Sequence, residues 1–144
     1  MRLVDLNILL YVVNEDSAHH ATLRNWWEEA MIDERPVGLS WMVLIGFLRL
    51  STRSQIFDRP LTPAEAIERV STWLHHGNTR VVVPSDRHWT ILSALIEQSG
   101  TAGNLTNDAH LAALAIEYGA TLISCDADFA RFSRLRWENP LTAL

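Results

Sequence analysis

The sequence predicts an α/β fold, a mainly parallel sheet of four to five strands with helices on both faces. Three observations predict it. Aliphatic, strand-like stretches alternate with helical ones from end to end. Several helical stretches carry start and stop signals at their own boundaries. The chain has 144 residues, the size of one domain (1–144), with no repeat, low-complexity stretch or Ser/Gly linker to divide it.

Taken in order, "RLVDL" is expected as the first strand, followed by "NILLYVVN". In "SAHHATLRNWWEEAMID", Leu23, Trp26, Trp27 and Ala30 recur at the i, i+3, i+4, i+7 spacing of an amphipathic helix, with Ser17 as N-cap in competition with Asp16. "PVGLS" (36–40) is a strand, and "MVLIGFLRLST" (42–52), apolar nearly all round, is a buried helix. "LTPAEAIERVSTWLHH" carries a full helix signature, with Thr62 as cap, Pro63 at N1, Glu65 at N3 and Gly77 as stop. "RVVVP" (80–84) is a β-branched strand ended by proline. Two capped helices follow, closed by Gly100 and Gly119, then the strand "ATLISCD", a short helix "ADFARF" and a last edge strand in "LRWENP". The six Trp are expected mostly in the core, with one of Trp26 and Trp27 free to reach a partner surface.

Composition narrows the function. Apolar residues make up 48% and charged residues 20%, as in ordinary globular domains. No apolar run approaches the roughly 20 residues needed to span a bilayer, and the N-terminus does not read as a signal peptide. The single cysteine, Cys125, allows no internal disulfide, which fits a reducing, cytoplasmic setting. A net charge of −5 gives no general attraction for nucleic acid, so any RNA or DNA must be met by a local patch or a metal. All 12 cationic side chains are Arg. The missing lysine excludes a phosphorelay receiver and a haloacid-dehalogenase-type phosphatase, both of which need one beside their acids.

In an open α/β sheet, ligands bind beyond the carboxyl ends of the strands, where the strand order reverses. Asp5 ends the first predicted strand, Asp126 ends the strand 120–125, and Asp128 lies just past it. Asp108 falls in the first turn of its helix, on the stripe shared with Leu111, Ala112 and Ala115, and so is expected to face the sheet. Each acid alone has an ordinary explanation: a turn at Asp5, a helix-dipole partner at Asp108, an N-cap at Asp126. Together, four carboxylates with no zinc-like Cys/His spacing suit a hard divalent cation, Mg²⁺ or Mn²⁺, and hydrolysis of phosphodiesters by metal-activated water.

"VDLNILLY" and "NLTNDAHLAALAIEYGATLISCDADFARF" resemble the PIN-domain ribonucleases, specifically the VapC toxins of bacterial toxin–antitoxin pairs. The strongest piece runs from Asn104 to Phe132, where N-x-x-x-D-A and S-x-D-x-D-F stand at the family spacing. The resemblance implies a three-layer α/β/α fold and a Mg²⁺-dependent endoribonuclease in which Mn²⁺ can substitute. It also implies an RNA substrate, a VapB-type antitoxin, and a homodimer that forms a heterotetramer or larger with it. By position it implies metal ligation by Asp5, Asp108 and Asp126, with Asp128 a fourth, less constrained acid. Asn7, Asn104, Thr106 and Ser124 stand where polar side chains could orient carboxylates or waters. Arg49 and Arg53, four apart on one helix, are candidate RNA phosphate contacts or a solvated helix edge.

One position departs from the family pattern. A Glu usually stands in the helix after the second strand, and Gly46 occupies its place, with no acid between residues 35 and 57. Two readings stay open: a nuclease whose metal rests on the remaining acids, and a degenerate module that binds RNA or a protein partner without cutting.

Overall fold

The computed structural model describes residues 1–100 and 102–142. Among the described residues, five strands form one sheet in the order β3-β2-β1-β4-β5, and every adjacent pair is parallel. The strands are β1 (Arg2–Val4), β2 (Val37–Leu39), β3 (Thr79–Val81), β4 (Thr121–Ile123) and β5 (Trp137–Glu138). Six α-helices connect them: α1 (Leu6–Val13), α2 (His20–Ile32), α3 (Trp41–Ser51), α4 (Pro63–His75), α5 (His88–Ser99) and α6 (Thr106–Glu117). They flank the sheet as an α/β/α arrangement, α1 packing on α2 and α3, α3 on α4, and α5 on α6.

β1 is the central strand, and all three of its residues are buried. Leu3 and Val4 are fully buried, pairing in register with Gly38 of β2 and with Leu122 and Ile123 of β4. Arg2 is also buried. Its guanidinium donates to the carbonyls of Ala30 and Arg35, lies over the Trp26 ring and approaches Asp33 at 3.8 Å. Burial of that charge is offset by these contacts at Nη2, while Nε is buried without a hydrogen-bond partner. The strand order reverses between β1 and β4. Their carboxyl ends therefore open a crevice, and Asp5 and the segment after Ile123 are the residues that reach it.

α6 seats the helical layer. Ala109, Ala112, Ala113 and Ala115 are buried along it with Leu111 and Leu114, so small side chains bring its backbone close to its neighbours. α4 has the expected capping box: the Thr62 hydroxyl accepts from Glu65 N at 3.2 Å, and the Glu65 carboxylate accepts from Thr62 N at 3.0 Å.

Several local expectations are corrected. The second helix begins at His20, not Ser17; the Ser17 hydroxyl accepts from His19 N and closes a separate turn ahead of the helix. α4 ends without help from Gly77. His76 turns extended there, and the Thr79 hydroxyl donates to the carbonyls of Trp73 and His76. β3 stops at Val81 because the Val83 carbonyl is taken by the Tyr118 hydroxyl and Pro84 has no N–H to offer. α3 is not buried all round: Trp41 and Ile45 stand exposed. Only Trp27 and Trp73 of the six Trp are buried, tilted against each other with Phe47 edge-on to Trp73, whereas Trp89 is 72% exposed.

Two substitutions test this packing. Leu122→Ala, which removes a fully buried side chain from β4, should lower the unfolding free energy by about 2–5 kcal/mol. Thr62→Ala should cost about 1 kcal/mol by removing the cap. Urea denaturation of both variants beside the parent protein measures each.

Candidate active site

Asp5 leaves β1 and caps α1, its Oδ1 accepting from Leu6 N at 2.7 Å. Its Oδ2 accepts from the Ser124 hydroxyl at 2.7 Å and from the Asn7 amide at 3.3 Å. Asn7 also donates to Ser124 at 3.2 Å, and its carbonyl oxygen accepts from Cys125 N. Residues two apart at the head of α1 thus grip the loop leaving β4, more than a hundred residues away in sequence.

Ser124 is the fully buried pivot of that grip. Its backbone is held by β5, since Ser124 N donates to Glu138 O and the Trp137 indole donates to Ser124 O. Its hydroxyl oxygen in turn accepts from Asp126 N at 3.0 Å. Asp126 then caps the 3-10 turn Ala127–Arg131, its Oδ1 accepting from Asp128 N at 2.9 Å. One hydrogen-bonded chain therefore runs Asp5–Ser124–Asp126–Asp128.

α6 brings Asp108 to the same place. Asp108, Asp126 and Asp128 each offer a carboxylate oxygen, and these three atoms lie within 4.8 Å of one another. Asp5 is not one of those three; it stands a step back, with both oxygens accepting hydrogen bonds. Two of the three ligands expected from the sequence, Asp108 and Asp126, are in this cluster, and Asp128 stands with them. Asp5 does share a cleft of about 180 Å³ with Asp108, walled by Leu6, Met42, Val43, Gly46, Arg49, Asn107 and Leu111.

The electrostatics record the crowding. Burial, and then the charges of Asp126, Asp5 and Asp128, push the Asp108 carboxyl up to about 6 from its ordinary 3.8. Asp5 is also raised, by burial first and by the Asp126 charge, against the hydrogen bonds from Ser124 and Leu6. Cys125, next to Asp5, is pushed up to about 11 by burial and by that acid, which disfavours its thiolate at neutral pH.

The remaining candidates divide. Asn7 and Ser124 touch Asp5, and Arg49 lines the cleft. Arg53 is exposed and is not among the residues lining the cleft. Asn104, in the 3-10 turn Gly103–Leu105, and Thr106, the first residue of α6, are both exposed, and among the described contacts neither bonds to the four acids. His110, two residues past Asp108, turns away to meet His88, which pairs with the buried Glu117 on α6. One residue that sequence reading passed over belongs at the rim: Arg131, whose guanidinium lies 3.7 Å from Asp128 Oδ1. The i,i+3 spacing in "DFAR" was its only signal.

Gly46 faces this cleft. A Cβ built on it would lie 2.8 Å from Leu6 Cδ2, inside contact distance. Leu6, the residue following Asp5, thus occupies the space a side chain on α3 would need.

A cluster of carboxylates at the reversal point of a parallel sheet defines a class: an α/β/α domain that gathers acids beyond its strand ends. The chain belongs to the PIN-domain family, whose model matches residues 2–135. Among curated proteins it is 44% identical to Ribonuclease VapC37 of Mycobacterium tuberculosis over 97% of both chains. It is 39% identical to Ribonuclease VapC33 of the same species, over 98% of this chain and 99% of that one. Its fold is shared with VapBC2 from Rickettsia felis, solved bound to a promoter DNA fragment. That match has a TM-score of 0.72 at 22% identity, covering 96% of this chain and 97% of that one.

Two outcomes follow from the site. Because Asp108 titrates higher folded than unfolded, the metal-free protein should lose stability as pH rises from about 4 to about 6, and then level off. Asp108→Asn should flatten that stretch of the curve in thermal melts across pH. Gly46→Glu should unfold more readily than the parent, and Leu6→Ala in the same chain should recover part of the loss, a coupling that a double-mutant cycle reads directly.

Proposed function

We propose that this protein is a Mg²⁺- or Mn²⁺-dependent endoribonuclease, the VapC-type toxin of a toxin–antitoxin pair, with one domain spanning 1–144. The observation that carries the reading is the convergence of Asp108, Asp126 and Asp128 within 4.8 Å, with Asp5 behind them. Curated relatives across the whole chain are named as ribonucleases, which supports the reaction class.

The donor set fits the ion. It is all carboxylate and offers no sulfur or imidazole, and burial together with the neighbouring acids raises the carboxyl of one member, Asp108, to about 6. Asp108, Asp126 and Asp128 would hold the cation, with Asp5 closing the set from the floor of the cleft. A bound divalent ion supplies positive charge to the phosphodiester oxygens and lowers the pKa of a water. The chain's own part is placement. Ser124 fixes Asp5 and the Asp126 backbone with one hydroxyl, and Asn7 keeps both in register. Arg49, which lines the cleft, offers a cation to the phosphate.

A VapB-type antitoxin is the proposed partner, since solved complexes of the same fold include VapBC assemblies. A homodimer, and a heterotetramer or larger with the antitoxin, are proposed as the assembly, in a cytoplasmic setting. No helix among the described residues is long and apolar enough to cross a membrane.

Cleavage of structured RNAs with Mn²⁺ or Mg²⁺ tests the proposal. Activity should vanish with EDTA and fall on the order of 100-fold or more in Asp108→Asn. Ser124→Ala should lose roughly 10–100-fold, the scale of a group that orients ligands. RNA binding without metal-dependent cleavage would instead favour the non-cutting module that Gly46 leaves open.

A further inference from the structure

The cluster is a poor place for RNA to land. The chain carries a net charge of −5, and four carboxylates surround the proposed reaction centre. A phosphate must be brought in by cations at the rim. Arg49 lines the cleft from α3. A second cation beside the acids, though not lining the cleft, is Arg131, at the end of the 3-10 turn that begins just after Asp126.

Arg131 is held in an unusual way. Its Nε donates to the Asp128 backbone carbonyl at 3.3 Å, and its Nη2 stands 3.7 Å from Asp128 Oδ1. The first contact is to backbone and does not depend on the charge of the Asp128 side chain. The second is a loose ion pair between groups that are 42% and 55% exposed, the kind that is easily broken. The charge of Arg131 also reaches Asp108, where it opposes the effect of the surrounding acids. The guanidinium is therefore tethered at the rim by Nε, while its Nη edge rests against an acid that the proposed cation would also use.

We infer that Arg131 serves this site in two states: without metal it is the internal counter-ion of Asp128, and with metal bound it is an RNA phosphate contact. The inference rests on the nuclease reading above. A divalent ion drawing on Asp128 removes the partner of the Nη edge and repels the guanidinium. The Nε tether keeps the group beside the cleft, where a planar fork of donors matches a phosphate. Arg131 thus opposes metal binding and favours RNA binding, two effects of opposite sign from one side chain. A purely structural arginine would not produce that pair.

The experiment uses the full chain with Arg131→Gln and Arg131→Lys. Mn²⁺ binding is read without RNA, from the free-ion electron paramagnetic resonance signal. Binding of a fluorescently labelled, mixed-sequence single-stranded RNA is read by anisotropy in Ca²⁺, across a salt series. Arg131→Gln should bind Mn²⁺ about two- to fivefold more tightly, the scale of an exposed pair. It should bind RNA more weakly, with the slope of log K against log salt reduced by about 0.7, one phosphate contact to a single strand. Arg131→Lys, which keeps the charge, should retain the parental salt slope. Unchanged or weaker Mn²⁺ binding in Arg131→Gln overturns the counter-ion role, and an unchanged salt slope overturns the phosphate role. A parent protein that binds no Mn²⁺ removes the nuclease reading and this inference with it. A parent that binds Mn²⁺ normally while Arg131→Gln matches it in both assays removes the inference alone.

Discussion

Four carboxylates at one sheet edge repel one another, and the local structure is organised around holding them together. The Ser124 hydroxyl is the central piece. It donates to Asp5 and accepts from the backbone of Asp126, so a single oxygen joins the end of β1 to the loop after β4. Asn7 adds a second tie between the same two segments, and β5 fixes Ser124 from the other side. These bonds oppose a repulsion that would otherwise spread the loop. Burial first, and then the neighbouring acids, raise the Asp108 carboxyl to about 6, so the crowding is still felt there.

The scaffold explains how that repulsion is carried. A short parallel sheet with fully buried residues in β1 and β4 gives the two strand ends little freedom. α6 lies close through its buried alanines, which sets the depth of Asp108. The α5–α6 contact is itself closed by a polar chain. The buried Glu117 accepts from Ser85 N and meets His88, which meets His110. An acid with no exposed side-chain surface is thereby fully partnered, and it pins the helix that carries Asp108 from the side away from the cleft.

Much of this was legible in the sequence, for physical reasons that differ by element. Alternating strand and helix signals gave the parallel sheet, because crossover helices leave periodicity in the chain. The Thr62–Glu65 box was readable because a cap is a contact between residues three apart. Asp126 and Asp128 were readable as a pair for the same reason. What depends on tertiary packing was hidden. Ser17 has the chemistry of a cap but closes an earlier turn. Asn104 and Thr106 stand in the right motif yet sit on the exposed lip of α6. Aromatic residues read as core, and Trp89 is on the surface. Arg131 could not be singled out among 12 arginines without knowing that a 3-10 turn would swing it back over Asp128.

The contact between Leu6 and Gly46 bears on how such a site can change over generations. Leu6 follows the acid that ends β1, and its methyl group fills the space beside a glycine on another helix. Neither residue can be revised freely while the other stays. An α3 side chain gained first meets a clash, and a smaller residue at 6 gained first leaves a void beside Asp5. The two positions are coupled, so an acid gained at position 46, a fifth carboxylate beside the cleft, is accommodated only as Leu6 moves or shrinks.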